Sequence, residues 1–307
     1  MKEVLNQLAR IPRFTAKGAG DFAVERLAGL TNKNHKITTG GETFVLRIAG
    51  EGTGEYIDRK AEETNARVAA AAGVNAEVLF FDPADGLQLA RFIGGAATMD
   101  AAGFKDLGSV ARAALVLKLI HTCGGQFANE FNIFKMMDEY LDLLISKKAR
   151  IPDGYAEVQK EAEAVRAALD ARPAPLVPCH CDPLAENFLD TGERMYLIDW
   201  EYAGNNDPMW DLGDMSVEAE FDAAQDAALM AAYFGGEPPA DQLGRMVMYK
   251  AMCDLLWTLW GVIQVANENP AEDFWAYAVG RFERCKALMA TPKFAAHLEA
   301  VKRGPGA

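Results

Sequence analysis

The stretch HCDPLAENFLDTGERMYLIDWEYAGNNDP, residues 180–208, gathers a histidine, several carboxylates and an asparagine around two short apolar runs. Asp182 sits in a loop entered through Pro178, and Asn187 follows five residues later. Next come "FL", the turn "DTGE" and "MYLID", a pattern that predicts a hairpin returning Asp199 beside Asn187. One loop thus aims a carboxylate, free to accept a proton, and an amide oxygen at neighbouring points. An amide oxygen and a second carboxylate suit a hard cation and leave room in its shell for phosphates.

Phosphoryl transfer to an alcohol asks a protein for a proton acceptor, ligands for Mg²⁺ and groups that hold the nucleotide phosphates. The spacing of His180, Asp182, Asn187 and Asp199 is that of the kinase catalytic loop, H-R-D-x-x-x-x-N followed by a metal-binding Asp. HxD alone is weak. HxDxxxxN with an apolar strand ending in Asp a dozen residues later is specific, and it points to a kinase-like phosphotransferase.

Upstream, "ARPAPLVPC" breaks the preceding helices with three prolines and delivers the chain into this motif. Before it, "FKDLGSVARAALVLKLIHTCG" and "FKMMDEYLDLLISKKA" carry apolar residues at three- and four-residue spacing, the mark of a buried helix face. "GGAATMDAAG" at 94–103 is small and flexible and separates this helical part from a β-rich start. There, after a short N-terminal helix, "AVERLAGL", "HKITT" and "ETFVLRI" read as strands, the last two joined by a two-glycine turn. "IDRKAEETNARVAAAAGV" reads as a helix stopping at Gly73, and "AEVLFFDPADGLQLARFI" as a second hairpin. From about 214 to 303 the chain is helical again. The expected architecture is α+β and bilobal: a small β-rich lobe, 1–93, that binds nucleotide, and a larger, mainly helical lobe, 94–307, for catalysis and substrate, with the site between them.

The chain of 307 residues is 50% hydrophobic and carries a formal charge of −13, which repels nucleic acid and anionic membranes and attracts a cationic small molecule. Five cysteines without a CxxC pair, an N-terminus charged throughout and no run of about 18 apolar residues predict a soluble, cytoplasmic protein. No heptad seam marks an oligomer interface.

The sequence resembles the choline/ethanolamine kinase family, within the wider group of aminoglycoside-phosphotransferase-like kinases, from about residue 26 to 290. "GLTNKNHKI", "FVLRI" with "IDRKAEETN", "HCDPLAENFL" with "IDWEYAGNNDPMWDL", and "LLWTLWGVIQ" carry the likeness. The resemblance implies a protein-kinase-like fold that moves the γ-phosphate of ATP, with Mg²⁺, to the hydroxyl of a small amino alcohol. It casts Asp182 as catalytic base and Asn187 and Asp199 as Mg²⁺ ligands. It also places Thr31, Asn32 and Asn34 in the loop over the phosphates, Arg47 with its partner Glu62 where protein kinases have their Lys–Glu pair, and Phe92 with Ile93 at the adenine. Glu201, Trp257, Trp260 and Tyr277 fall at the substrate. Two positions depart from the family pattern, Cys181 where Asn is frequent and Leu184 where some members carry an amide; both bear on how the acceptor hydroxyl is set.

The residues also have plainer readings. Cys179, His180 and Cys181 make a poor zinc site, with no second ligand pair at tetrahedral spacing, and His180 reads as a brace for its loop. His121 reads as a satisfied core histidine, and Asp207 and Asp211 as caps of the helix "WDLGDMSVEAEF". Arg47, the lone cation in an apolar strand, needs a phosphate or carboxylate partner. Choline or ethanolamine is the leading acceptor because an aromatic box suits a quaternary ammonium. The rivals are another amine-bearing alcohol such as an aminoglycoside, and a nucleotide-binding pseudokinase.

Overall fold

A computed structural model describes residues 1–305 except Leu30, Thr31, Glu51 and Tyr56. Thr31 therefore lies outside the described residues. The chain begins with α1 (Lys2–Leu8), followed by β1 (Ala23–Arg26), β2 (Lys33–Thr39) and β3 (Glu42–Ile48). The β2–β3 turn is made by Gly40 and Gly41, both at positive φ. Next come α2 (Arg59–Ala71), β4 (Val78–Asp82) and β5 (Leu87–Arg91), and the five strands form one antiparallel sheet in the order β1-β2-β3-β5-β4. Ile37, Phe44, Leu46, Leu87 and Leu89 pack with Val4, Leu8, Ile11 and Phe14 into a small core under α1. Side chains alternate along a strand, so Arg47, next to Leu46, is on the opposite face from that core. On that side it meets Glu62 of α2, whose first turn is fixed by Asp58 accepting the N–H groups of Lys60 and Ala61 at 3.0 and 3.2 Å.

The remainder is mainly helical: α3 (Leu107–His121), α4 (Ile133–Ser146), α5 (Tyr155–Ala171), α6 (Pro208–Glu218), α7 (Ala223–Phe234), α8 (Ala240–Ala266), α9 (Phe274–Met289) and α10 (Pro292–Arg303). Short strands interrupt it. β7 (Val177–Cys179) pairs with β10 (Gly204–Asn206), while β6 (Ala97–Thr98), β8 (Phe188–Asp190) and β9 (Met195–Leu197) form a three-stranded sheet. Residues 97–98, expected in a flexible link, are thus an edge strand, a role their small size concealed.

By length and composition α8 is apolar enough to cross a membrane, yet 83% of its most apolar window is buried inside the protein. It is the central pillar, with α6, α9 and α10 packed around it. The approach of α9 depends on Gly261, where a Cβ would lie 2.8 Å from Cδ1 of Tyr277 and 3.1 Å from Cβ of Ala278.

Candidate active site

The loop after β7 is held from below. Asp211, inside α6 and fully buried, accepts the backbone N–H of His180 at 2.7 Å and that of Cys181 at 2.8 Å. The expectation that Asp211 caps α6 is corrected, since only Asp207 does so, accepting Met209 N–H at 3.0 Å. Asp211 lies one turn into the helix and turns its carboxylate toward the loop's unpaired donors. Its Oδ2 also meets His121 Nε2 at 3.0 Å, and His121 Nδ1 meets the Tyr233 hydroxyl at 2.9 Å. His121 is satisfied, as the sequence led us to expect, and its partner is the anchor of the loop.

Cys181 and Asp199 both adopt φ of +66°, a region that costs a side-chain-bearing residue free energy and persists only where surroundings enforce it. His180 supplies part of that enforcement: its Nε2 reaches the Ile198 carbonyl at 2.8 Å, one residue before Asp199, and its ring packs edge-on against Trp200 at 4.7 Å. Burial holds the imidazole below its ordinary range, so it is neutral and braces the loop.

The β8–β9 hairpin forms as the sequence predicts, with Phe188 opposite Leu197 and Ile198 N–H on the Asn187 carbonyl at 3.0 Å. Asn187 commits its amide nitrogen to the Asp182 carbonyl at 3.0 Å, leaving the amide oxygen as the atom suited to a cation. The carboxyl oxygens of Glu62, Asp199 and Glu201 approach within 4.8 Å of one another. An all-oxygen set of this charge fits Mg²⁺ or a similar hard divalent cation. Burial, then the nearby Asp199, push the Glu201 carboxyl up to about 7.

Positive groups interleave with these carboxylates. Arg47 pairs with Glu62 and, at 3.2 Å, with Asp199, and it donates to the Gly86 carbonyl at 3.3 Å. Arg59, the first residue of α2, lies 2.6 Å from Glu62 and 3.1 Å from Glu201. Asn32 donates to Asp199 and Glu201 at 3.2 and 3.3 Å and accepts Gly50 N–H at 3.2 Å, which ties the β1–β2 side of the sheet to the metal-ligand candidates. Asn34 points elsewhere, its amide on the Ala28 carbonyl at 3.1 Å. Phe92 and Ile93 follow β5, half-buried, with the Lys36 ammonium 5.0 Å from the centre of the Phe92 ring.

Asp182 is half-buried, and burial together with Asp214, Glu218, Asp199 and Glu201 holds its carboxyl well above the carboxylate range. Beyond it lies an aromatic cluster. The rings of Trp257 and Trp260 meet edge-on at 6.2 Å, Trp260 meets Tyr277 at 5.7 Å, and Trp257 meets Tyr202, next to Glu201, at 5.7 Å. The Arg281 guanidinium sits 4.7 Å from the Tyr277 centroid while paired with Glu218 at 2.6 Å. Asp214 accepts the Cys253 thiol at 2.9 Å, and its other oxygen is buried without a hydrogen-bond partner among the described residues.

The sequence reading missed Arg59, Tyr202, Asp214 and Glu218, and it gave Asp211 the wrong task. Arg59 carried one signal: it stands three residues before Glu62, at ion-pair spacing on a helix.

The phosphotransferase enzyme family model matches residues 23–243. This chain belongs to that family. A solved structure of a choline/ethanolamine kinase family protein from Mesorhizobium loti is 53% identical, with 99% of each chain covered and a TM-score of 0.88, so the phosphotransferase is also a member of the choline/ethanolamine kinase family. Choline kinase LicA from Streptococcus pneumoniae is 28% identical, with 94% of this chain and 98% of that one covered and a TM-score of 0.78. A structure of LicA in complex with AMP is 26% identical, with 96% and 98% covered and a TM-score of 0.75. The expected protein-kinase-like α+β fold and an enzyme acting on an alcohol hydroxyl are borne out. Trp257, Trp260 and Tyr277 all lie beyond the span that the family model matches.

Proposed function

We propose that the phosphotransferase uses Mg²⁺ and ATP to phosphorylate the hydroxyl of choline, with ethanolamine as the second acceptor. Residues 1–93 form the nucleotide lobe and 94–307 the catalytic lobe. The observation that carries the reading is the run of carboxylates and π faces on one path: Asp182, Asp199 and Glu201 continue through Tyr202 into Trp257, Trp260 and Tyr277. A trimethylammonium offers no N–H to donate and is held by ring faces and nearby negative charge. The likeness to choline kinase LicA and to LicA with AMP supports both the acceptor and the nucleotide.

Asp182, as the carboxylate, takes the acceptor's hydroxyl proton as that oxygen bonds to the γ-phosphorus, and the bond from the γ-phosphorus to its bridging oxygen breaks to release ADP. Asn187 and Asp199 would hold Mg²⁺, joined by Glu201, which the sequence reading placed at the substrate and whose carboxylate lies with that of Asp199; the ion would supply charge neutralisation on the phosphates. Arg47, fixed by Glu62, faces the phosphates, Asn32 positions the loop above them, and Phe92 with Ile93 meets the adenine. The test is ADP release with Mg·ATP against choline, ethanolamine, thiamine and kanamycin. Choline as the best acceptor supports the assignment, and a preference for kanamycin or thiamine overturns it.

A further inference from the structure

Arg59 is a buried guanidinium for which the catalytic motif has no use. It is 6% exposed, and it reaches Glu62 at 2.6 Å, Glu201 at 3.1 Å and the Thr53 hydroxyl at 2.5 Å. Its path is cut for it by Gly86, in the β4–β5 turn at φ +72°. A Cβ there would lie 2.8 Å from Arg59 Nε and 3.2 Å from the Ala49 Cβ. The same glycine offers its carbonyl to Arg47 at 3.3 Å. One turn therefore makes room for one guanidinium and anchors the other.

The charges in this cluster are two guanidiniums against three carboxylates. Arg47 shares Glu62 and Asp199, and Arg59 shares Glu62 and Glu201, so Glu62 gives one oxygen to each arginine. If Asp199 and Glu201 turn to a cation, each arginine keeps its oxygen of Glu62 and loses its second carboxylate. Two buried positive charges then stand on one negative charge. An unbalanced buried charge is costly, and anionic oxygens entering the cleft offset it. A guanidinium meets phosphate oxygens with two parallel donors.

We propose that Arg59 is a second phosphate-binding cation of the nucleotide site, held on Glu201 in the arrangement described and passed to the phosphate chain of a nucleoside di- or triphosphate when Glu201 is engaged by a cation. The inference rests on the nucleotide reading above, and it separates Arg59 from a residue that merely fastens α2.

Equilibrium titration of the full chain with ADP and with adenosine, in EDTA and in Mg²⁺, tests it. In Mg²⁺, Arg59→Gln weakens ADP about tenfold or more, as expected for one lost charge-assisted pair, and leaves adenosine within twofold. Arg59→Lys, which keeps the charge without the fork, recovers part of the loss. In EDTA, Glu201→Gln frees Arg59 and tightens ADP severalfold, and the gain vanishes in the Arg59→Gln/Glu201→Gln double variant. Gly86→Ala crowds the guanidinium without removing it and lowers ADP affinity relative to adenosine, a readout that stands if Arg59→Gln fails to fold. The proposal is overturned if folded Arg59→Gln or Gly86→Ala keeps the parent ratio of ADP to adenosine affinity within twofold, or if the Glu201→Gln gain survives in the double variant. If the parent binds neither ligand, the nucleotide reading falls, and this inference with it.

Discussion

Asp211 accepts the backbone N–H of His180 at 2.7 Å across 31 residues of chain, and this bond, with its twin to Cys181, sets the loop that carries Asp182. Asp211→Asn keeps one acceptor and turns an amide N–H₂ toward a buried N–H. The expected loss is about 1–3 kcal/mol of stability, with kcat reduced more than tenfold and the KM for ATP within threefold. Thermal melts beside steady-state kinetics check this, and an unchanged kcat in the folded variant would refute the anchoring role.

Asp182→Asn removes a proton acceptor while keeping the shape. We expect nucleotide binding to be nearly intact and kcat to fall by about 10² or more. A kcat within threefold of the parent would remove Asp182 from the chemistry.

Asp199→Ala acts differently, because the residue faces both Arg47 and the other metal-ligand candidates. Both turnover and the apparent affinity for Mg²⁺ should drop. An identical Mg²⁺ titration midpoint in variant and parent would exclude the ligand role.

Trp260→Ala opens the aromatic cluster on the side where Tyr277 is already covered by Arg281. Loss of one π face at about 0.5–2 kcal/mol raises the KM for choline about 2–30-fold and leaves that for ATP unchanged. If the melting temperature collapses while the folded fraction keeps its choline KM, the rings are packing alone.

Burial and the nearby Asp199 push the Glu201 carboxyl of the folded protein up to about 7, above its ordinary value of 4.5. Between those two values the folded state binds more protons than the unfolded state, so stability falls as pH rises through this window, and the cost is fully present above about 7. In EDTA, Glu201→Gln should flatten the slope between pH 4.5 and 7 and exceed the parent in stability at pH 8. Chemical denaturation across pH is the measurement, and parallel curves for the two proteins would contradict it.

The strip from His180 to Asp199 was legible because its parts are neighbours in sequence: a loop, a five-residue step and a hairpin with a glycine turn that closes within a dozen residues. Arg47's need for a partner was legible because a charge in an apolar strand demands one, while the choice of Glu62 over its neighbour Glu63 came from the family resemblance. What escaped were pairs made by the fold. Arg59 meets Glu201 across 142 residues and His121 meets Asp211 across 90, and no local periodicity marks either. Asp211 looked like a cap because caps and anchors use the same side chain at nearly the same place, and only the loop packed under α6 decides between them.

The spacing of the aromatic cluster is set by a residue that is not aromatic. Gly261 lets the Tyr277 ring settle against the bare backbone of α8, where one added carbon would collide with it. The glycine therefore works as a ruler. It sets how closely the Tyr277 ring approaches α8 beside Trp260, and a single methyl group at that position would have to push the ring outward.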